Sequence, residues 1–240
     1  HRWIPKRKAD FVKALRDIPL EYSFHLPMLL DLGEDEDSHE DLFKSFIELA
    51  QELDIRDFVL HPSRHKNYWA DDTELRNLRQ LAPLFKENGI KVHLENLLNQ
   101  QYAGNYTYNI GMGDNARMLH HLKEDCYGYC FDFGHAFITT RFREECIVEE
   151  FEKVKEHVTH LHLHDNFGKI PNDRKKLNKH ESTIMGVGDL HMPPTWGEIP
   201  YEGLKPHLMG YRGKVIIELF KDYLDNLDDV LATTRSLFIL

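Results

Sequence analysis

Six short apolar runs, each with an acid or a histidine at or within two residues of its end, constrain this chain more than any other feature. They are Tyr22 to Leu26, Asp57 to His61, Lys91 to Glu95, Tyr127 to Asp132, Val158 to His164 and Lys214 to Phe220. Between them lie charged amphipathic stretches of helical period: Glu40 to Leu53, Thr73 to Asn88, Asn115 to Lys123 and Val148 to His157. Strands this apolar, each followed by a helix, predict parallel βαβ units with both sheet faces covered. The spacing is regular. His25, His61, Glu95, Asp132 and His162 follow one another at 36, 34, 37 and 30 residues, and only the step from His162 to Glu218, at 56, is longer. The Pro- and Gly-containing stretch from Asp165 to Pro200 accounts for the excess.

A period near 35 suits either a closed barrel or an open doubly wound sheet. No G-x-G-x-x-G follows a strand, and Gly111-Met112-Gly113 lacks the third glycine, so a dinucleotide fold is disfavoured. No linker-like stretch divides the 240 residues, and they are read as one barrel domain over 1–240. The net charge of −10 disfavours a nucleic-acid partner, which clustered Lys and Arg would serve. No uncharged apolar segment is long enough to span a membrane. Cys126, Cys130 and Cys146 form no C-x-x-C pair and read as buried, reduced thiols, so a cytoplasmic location is expected.

The residues that close the runs carry the chemistry. In a βα barrel the C-terminal strand ends converge on one mouth, where barrel active sites sit. A single polar residue at a strand exit is as well explained by capping. Six in succession, all His, Asp or Glu, are not. Asp132-Phe133-Gly134-His135 adds an imidazole just past a strand end, with a glycine letting the backbone turn between the two. Gly188-Asp189-Leu190-His191 sets a carboxylate and an imidazole two apart, and His61-Pro62-Ser63-Arg64-His65 offers one more imidazole. Mixed imidazole and carboxylate donors suit Zn²⁺, Mn²⁺ or Fe²⁺ better than Mg²⁺ or Ca²⁺. The remaining histidines are expected to be structural. His39, His120, His121, His157, His180 and His207 should be solvated, His93 and His160 should face the helix layer, and His164 should sit just behind the mouth.

In this order the motifs resemble the xylose-isomerase-like barrel superfamily of sugar isomerases, epimerases and endonuclease IV. The pieces are Phe24-His25-Leu26-Pro27, His61-Pro62, Leu94-Glu95-Asn96, Asp132-Phe133-Gly134-His135-Ala136, His162-Leu163-His164-Asp165, Gly188-Asp189-Leu190-His191 and Ile217-Glu218. The resemblance implies a (β/α)8 TIM barrel with a central ion on Glu95, Asp132, His162 and Glu218. The endonuclease-like branch implies two more ions, one on His25, His61 and Glu95, the other on His135, Asp189 and His191. One to three divalent ions are therefore expected. The loops depart from the endonuclease pattern: Leu97-Leu98-Asn99-Gln100 follows Glu95-Asn96, and Ile138-Thr139-Thr140-Arg141 follows the His135 motif. They point to a substrate smaller than a DNA duplex.

Three functions follow as expectations. One is isomerisation or epimerisation of a sugar or polyol, with Glu95 and Glu218 as the acid/base pair. A second is hydrolysis of a phosphate ester by a multinuclear, up to three-zinc site, and a third is a non-catalytic binding protein with a vestigial site. His65, His164 and Trp196 are expected to support the site or touch substrate. In the family the first histidine ligand lies on the third strand, so the first two strands are expected to fall outside this chain, in roughly 35 to 45 further residues.

Overall fold

The computed structural model describes residues 4–28, 30–34, 39–65, 70–98, 101–102, 105–107, 111–170 and 179–239, without the side chains of 4–9, 64–65, 70–71, 101–102, 105–107 and 179–180. The strands are β1 (Ser23–His25), β2 (Asp57–Leu60), β3 (Arg64–His65), β4 (Lys91–Glu95), β5 (Gln101–Tyr102), β6 (Asn105–Thr107), β7 (Tyr127–Asp132), β8 (Val158–Leu163) and β9 (Lys214–Ile217). The α-helices are α1 (Ile4–Arg16), α2 (His39–Glu52), α3 (Ala70–Glu87), α4 (Met112–Leu122), α5 (Phe133–Phe142), α6 (Ile147–Val154), α7 (Lys179–Met185), α8 (Tyr201–Leu208) and α9 (Leu227–Ser236).

Six strands make one parallel sheet in the order β1-β2-β4-β7-β8-β9, so every strand pairs with its predecessor in the βα series. This is a partial (β/α)8 barrel, with six parallel strands among the described residues. All six predicted runs are these strands, and the predicted helical stretches fall on α2, α3, α4 and α6. No further strand of this sheet lies in the described part of 165–200.

Alternation along each strand separates two environments. Outward residues Phe58, Leu60, Val92 and Leu94 pack with Phe43 and Ile47 of α2 and Leu78 and Phe85 of α3. Further round, Tyr129, Phe131, Leu161 and Leu163 meet Ile147, Phe151 and Val154 of α6, which recur at i, i+4 and i+7, and Tyr201 and Leu204 of α8. β7 is buried along its whole length. These two clusters fix the sheet, and the inward residues are then free to be polar.

Several histidines correct the sequence reading. His93 does not face the helix layer: its Nε2 lies 2.8 Å from Asp57 Oδ1 and its Nδ1 2.9 Å from Thr159 Oγ1. His160 also turns inward, its ring centroid 4.9 Å from that of His93. A period of two places 93 on the face of Glu95 and 160 on that of His162. His39 is buried rather than solvated. Cys126 and Cys130 are buried as expected, but Cys146 is exposed. The sequence reading also omitted a small antiparallel sheet, β3-β6-β5. Among the described residues no helix is long and apolar enough to cross a membrane.

Candidate metal centre

The strand-end side chains meet at one place, and Glu95 is at its middle. It ends β4 with its side chain fully buried. Its Oε2 lies 3.1 Å from His25 Nε2 at the end of β1 and 3.1 Å from His61 Nε2 just beyond β2. Its Oε1 lies 3.2 Å from His135 Nδ1 and 3.4 Å from His162 Nδ1. The same His162 nitrogen is 3.6 Å from Asp132 Oδ2 and 3.3 Å from Glu218 Oε1, so β4, β7, β8 and the residue just past β9 all contribute. A third group gathers on the loop after α7, where Asp189 Oδ2 lies 2.8 Å from His191 Nε2 and 3.3 Å from His135 Nε2. All nine residues singled out from the sequence are thus in one connected cluster.

The backbone makes this possible in two ways. Asp132 caps α5, accepting the His135 backbone N–H at 2.7 Å, which swings the His135 ring back over the mouth. His191 takes a left-handed conformation (φ 43°), unusual for a side-chain-bearing residue, and folds the loop so that its ring stacks on His164 at 4.2 Å.

Three features of the donor set fit divalent ions. Three imidazoles donate Nδ1–H to backbone carbonyls, leaving Nε2 toward a carboxylate: His25 to Leu26 at 2.9 Å, His135 to Asn96 at 3.0 Å and His191 to Glu218 at 3.2 Å. That is how a protein fixes the tautomer of a metal-ligating histidine. Next, Glu95 Oε1, His162 Nδ1 and Asp189 Oδ1 are buried without a hydrogen-bond partner. Buried polar atoms rarely stay unpaired, and a cation would satisfy these. Finally, bonds of about 2.1 Å around a tetrahedral ion place neighbouring donors about 3.4 Å apart. The separations of 3.3 to 3.6 Å around His162 Nδ1 match that edge.

Electrostatics point the same way. Burial pushes the Glu95 carboxyl up, but the imidazoles of His61 and His162 outweigh it and hold it well below the usual range. Burial likewise opposes ionisation of Asp189, and His164 and His135 overcome it. Burial lowers the imidazoles of His135 and His164, yet the adjacent Asp132 and Asp189 raise both, His164 to about 9. Four carboxylates in one cavity call for positive charge, which divalent ions would supply.

Of the supporting residues, His164 is fully buried, its Nε2 3.1 Å from each Asp132 oxygen. Trp196 is half exposed and packs edge-on against Tyr223 at 6.0 Å. The His65 side chain lies outside the described residues. The sequence reading missed Asn96, whose Nδ2 donates to Asp132 O and whose Oδ1 accepts from Asp132 N, both at 2.9 Å. Its only signal was its place directly after Glu95.

Fold and cluster together define a TIM-barrel protein with an acid-and-imidazole mouth. The chain belongs to the xylose isomerase-like TIM barrel family, whose model it matches over residues 1–237. It is 22% identical over 226 residues to an uncharacterized protein of Methanocaldococcus jannaschii, covering 90% of this chain and 77% of that one. Among solved structures, a D-tagatose 3-epimerase-like protein superposes with a TM-score of 0.66 at 22% identity, covering 97% of this chain and 85% of the other. D-psicose 3-epimerase from Clostridium cellulolyticum H10 superposes with a TM-score of 0.68 at 13% identity, covering 98% and 84%. At these identities the likeness speaks for the fold.

Proposed function

We propose that this protein is a divalent-metal-dependent isomerase or epimerase acting on a small sugar or related polyol. The observation that carries the reading is the approach of two strand-end glutamates to one nitrogen, Glu95 Oε1 at 3.4 Å and Glu218 Oε1 at 3.3 Å from His162 Nδ1. Two carboxylates flanking one point are what proton removal on one side of a carbon and return on the other requires. Glu95, Asp132, His162 and Glu218 would hold a Zn²⁺, Mn²⁺ or Fe²⁺ ion, which when bound polarises adjacent hydroxyl and carbonyl oxygens. Glu218, with its side chain 22% exposed, faces the mouth and exchanges the substrate proton from one oxygen while the other remains toward His162. Glu95 is kept ionised by the imidazoles around it and serves as the opposing proton acceptor. His164 fixes the Asp132 carboxylate between them, and Trp196 offers an apolar face for a sugar ring.

The test is solvent isotope exchange. The chain loaded with Mn²⁺ or Zn²⁺ is incubated with a panel of ketohexoses and ketopentoses in D₂O and read by mass spectrometry. Deuterium should enter the carbon beside the carbonyl, and no exchange with any sugar while phosphodiesters are cleaved would overturn the reading. That second reading, a multinuclear phosphoesterase, is favoured by the separate His25–His61–Glu95 and His135–Asp189–His191 groups. Metal content after loading with Mn²⁺ separates them: about one ion per chain supports the isomerase, two or three the hydrolase.

A further inference from the structure

Below the strand-end cluster the barrel interior holds a second tier. Cys130 and His160 are opposed in the β7–β8 register, each two residues before a member of the upper tier, Asp132 and His162. All of Cys130, His160 and His162 are buried, and one donor atom from each lies within 4.8 Å of the others. We propose that Cys130, His160 and His162 form a further, thiolate-bearing metal site, for a thiophilic divalent ion of the Zn²⁺ or Cd²⁺ class. The proposal shares His162 with the upper cluster and does not depend on the reaction proposed there.

The geometry is already that of a ligand pair. Cys130 Sγ lies 3.5 Å from His160 Nδ1. With a thiolate bond of about 2.3 Å and an imidazole bond of about 2.0 Å, a tetrahedral ion places the two donors about 3.5 Å apart. Ser23 Oγ, 3.3 Å from His160 Nε2, accepts from it in the tautomer that turns the Nδ1 lone pair toward sulfur. A second polar group that orients a ligand in this way is the usual companion of a metal-bound imidazole. An ordinary thiol, with a pKa of about 8.5, is protonated at neutral pH, so binding breaks the Sγ–H bond, forms an Sγ–metal bond and sends the Cys130 proton to solvent. Only an ion with high sulfur affinity can drive that exchange, which selects against Mg²⁺ and Mn²⁺.

The upper cluster contains no sulfur, so a thiolate-to-metal charge-transfer band reports the lower site alone. The experiment uses the full chain with Cys126→Ala and Cys146→Ser, freed of metal by chelation and titrated with Cd²⁺ alone. The expected result is an ultraviolet charge-transfer band that saturates at the amplitude of a single thiolate per chain, whatever further Cd²⁺ the upper cluster takes up. His160→Gln should weaken that phase at least tenfold, and Cys130→Ser should abolish the band with the circular dichroism unchanged. Should the two-substitution parent fold poorly, the difference between the wild-type chain and Cys130→Ser gives the same readout. Cd²⁺ binding without a thiolate band, a band that survives Cys130→Ser, or one indifferent to His160→Gln would each overturn the proposal.

Discussion

Replacing Gly134 with alanine should damage the site without touching any residue that faces a ligand. An alanine Cβ at that position would lie 1.8 Å from His164 Cε1, 2.4 Å from its Nδ1 and 2.5 Å from its Nε2. The ring cannot step aside, because it is fully buried, bonded to both Asp132 oxygens at 3.1 Å and stacked on His191 with only 8° between the planes. Overpacking of this kind costs about 1–3 kcal/mol. If the ring is displaced, the charge-assisted bond to Asp132 is lost as well, about 1.5–3 kcal/mol. Against this, alanine gains about 1 kcal/mol over glycine within a helix, and less in a first turn. The balance is a loss of about 2–5 kcal/mol, measurable by urea unfolding in chelator so that no ion contributes. Stability equal to or above wild type would refute the reasoning, since helix propensity would then have won. In a His164→Ala background the ring is gone, and Gly134→Ala should cost at least about 1 kcal/mol less than in the parent.

Glu95→Gln and Glu218→Gln should each lower turnover by at least about 100-fold with unchanged circular dichroism, because each removes one carboxylate of the pair. Near-normal activity with metal still bound would show that the chemistry lies elsewhere. Asp57→Asn should cost about 2 kcal/mol at neutral pH, since Asp57 holds both His93 and Lys214 at 2.8 Å. The hydrogen bond from His93, helped by Lys214 and opposed by burial, keeps its folded carboxyl below the ordinary range. Its contribution is therefore complete above the unfolded value of about 4 and fades as pH falls below it. Urea unfolding at neutral and acid pH should show the gap between wild type and variant closing in acid, and a constant gap would contradict this. Asp165→Asn should loosen the loop that carries Trp196, because Asp165 Oδ1 accepts the backbone N–H of Asn166 at 2.8 Å and of Ile199 at 3.1 Å. Hydrogen exchange at Ile199 should quicken at least tenfold, and unaltered protection would remove that role.

Most of the site was legible because its signal and its placement coincide. A βα unit puts the residue after an apolar run at the mouth whatever the helices do, so the endings of six runs could be read directly from the chain. The same logic found the strands of the main sheet to within a few residues. It did not find α5, whose first eight residues are buried all round and so carry no amphipathic period. Gly134 was misread for that reason. A glycine in Asp-Phe-Gly-His looks like a turn, but its backbone lies in the first turn of α5, and the residue is there to leave space for a ring that arrives from 30 positions further along the chain.

What stayed hidden depends on contacts that no local pattern records. Asn96 and Asp165 act by accepting or donating to backbone groups of other segments, and an asparagine or aspartate beside a strand end has too many local uses to be singled out. The lower tier was hidden differently. Once Glu95 and His162 are placed inward, a period of two already commits His93, Cys130 and His160 to the same face, and the apolar residues between them to the helices. Assigning the two histidines to the outer layer treated each as an isolated polar residue in a strand. Taken together they require partners inside the barrel. Asp57, Thr159 and Ser23 supply those partners from neighbouring strands at 2.8, 2.9 and 3.3 Å. A polar inward residue two places before a mouth residue is thus a statement about the barrel floor, and in this chain the floor carries imidazoles and a carboxylate like the mouth, with a thiol that the mouth lacks.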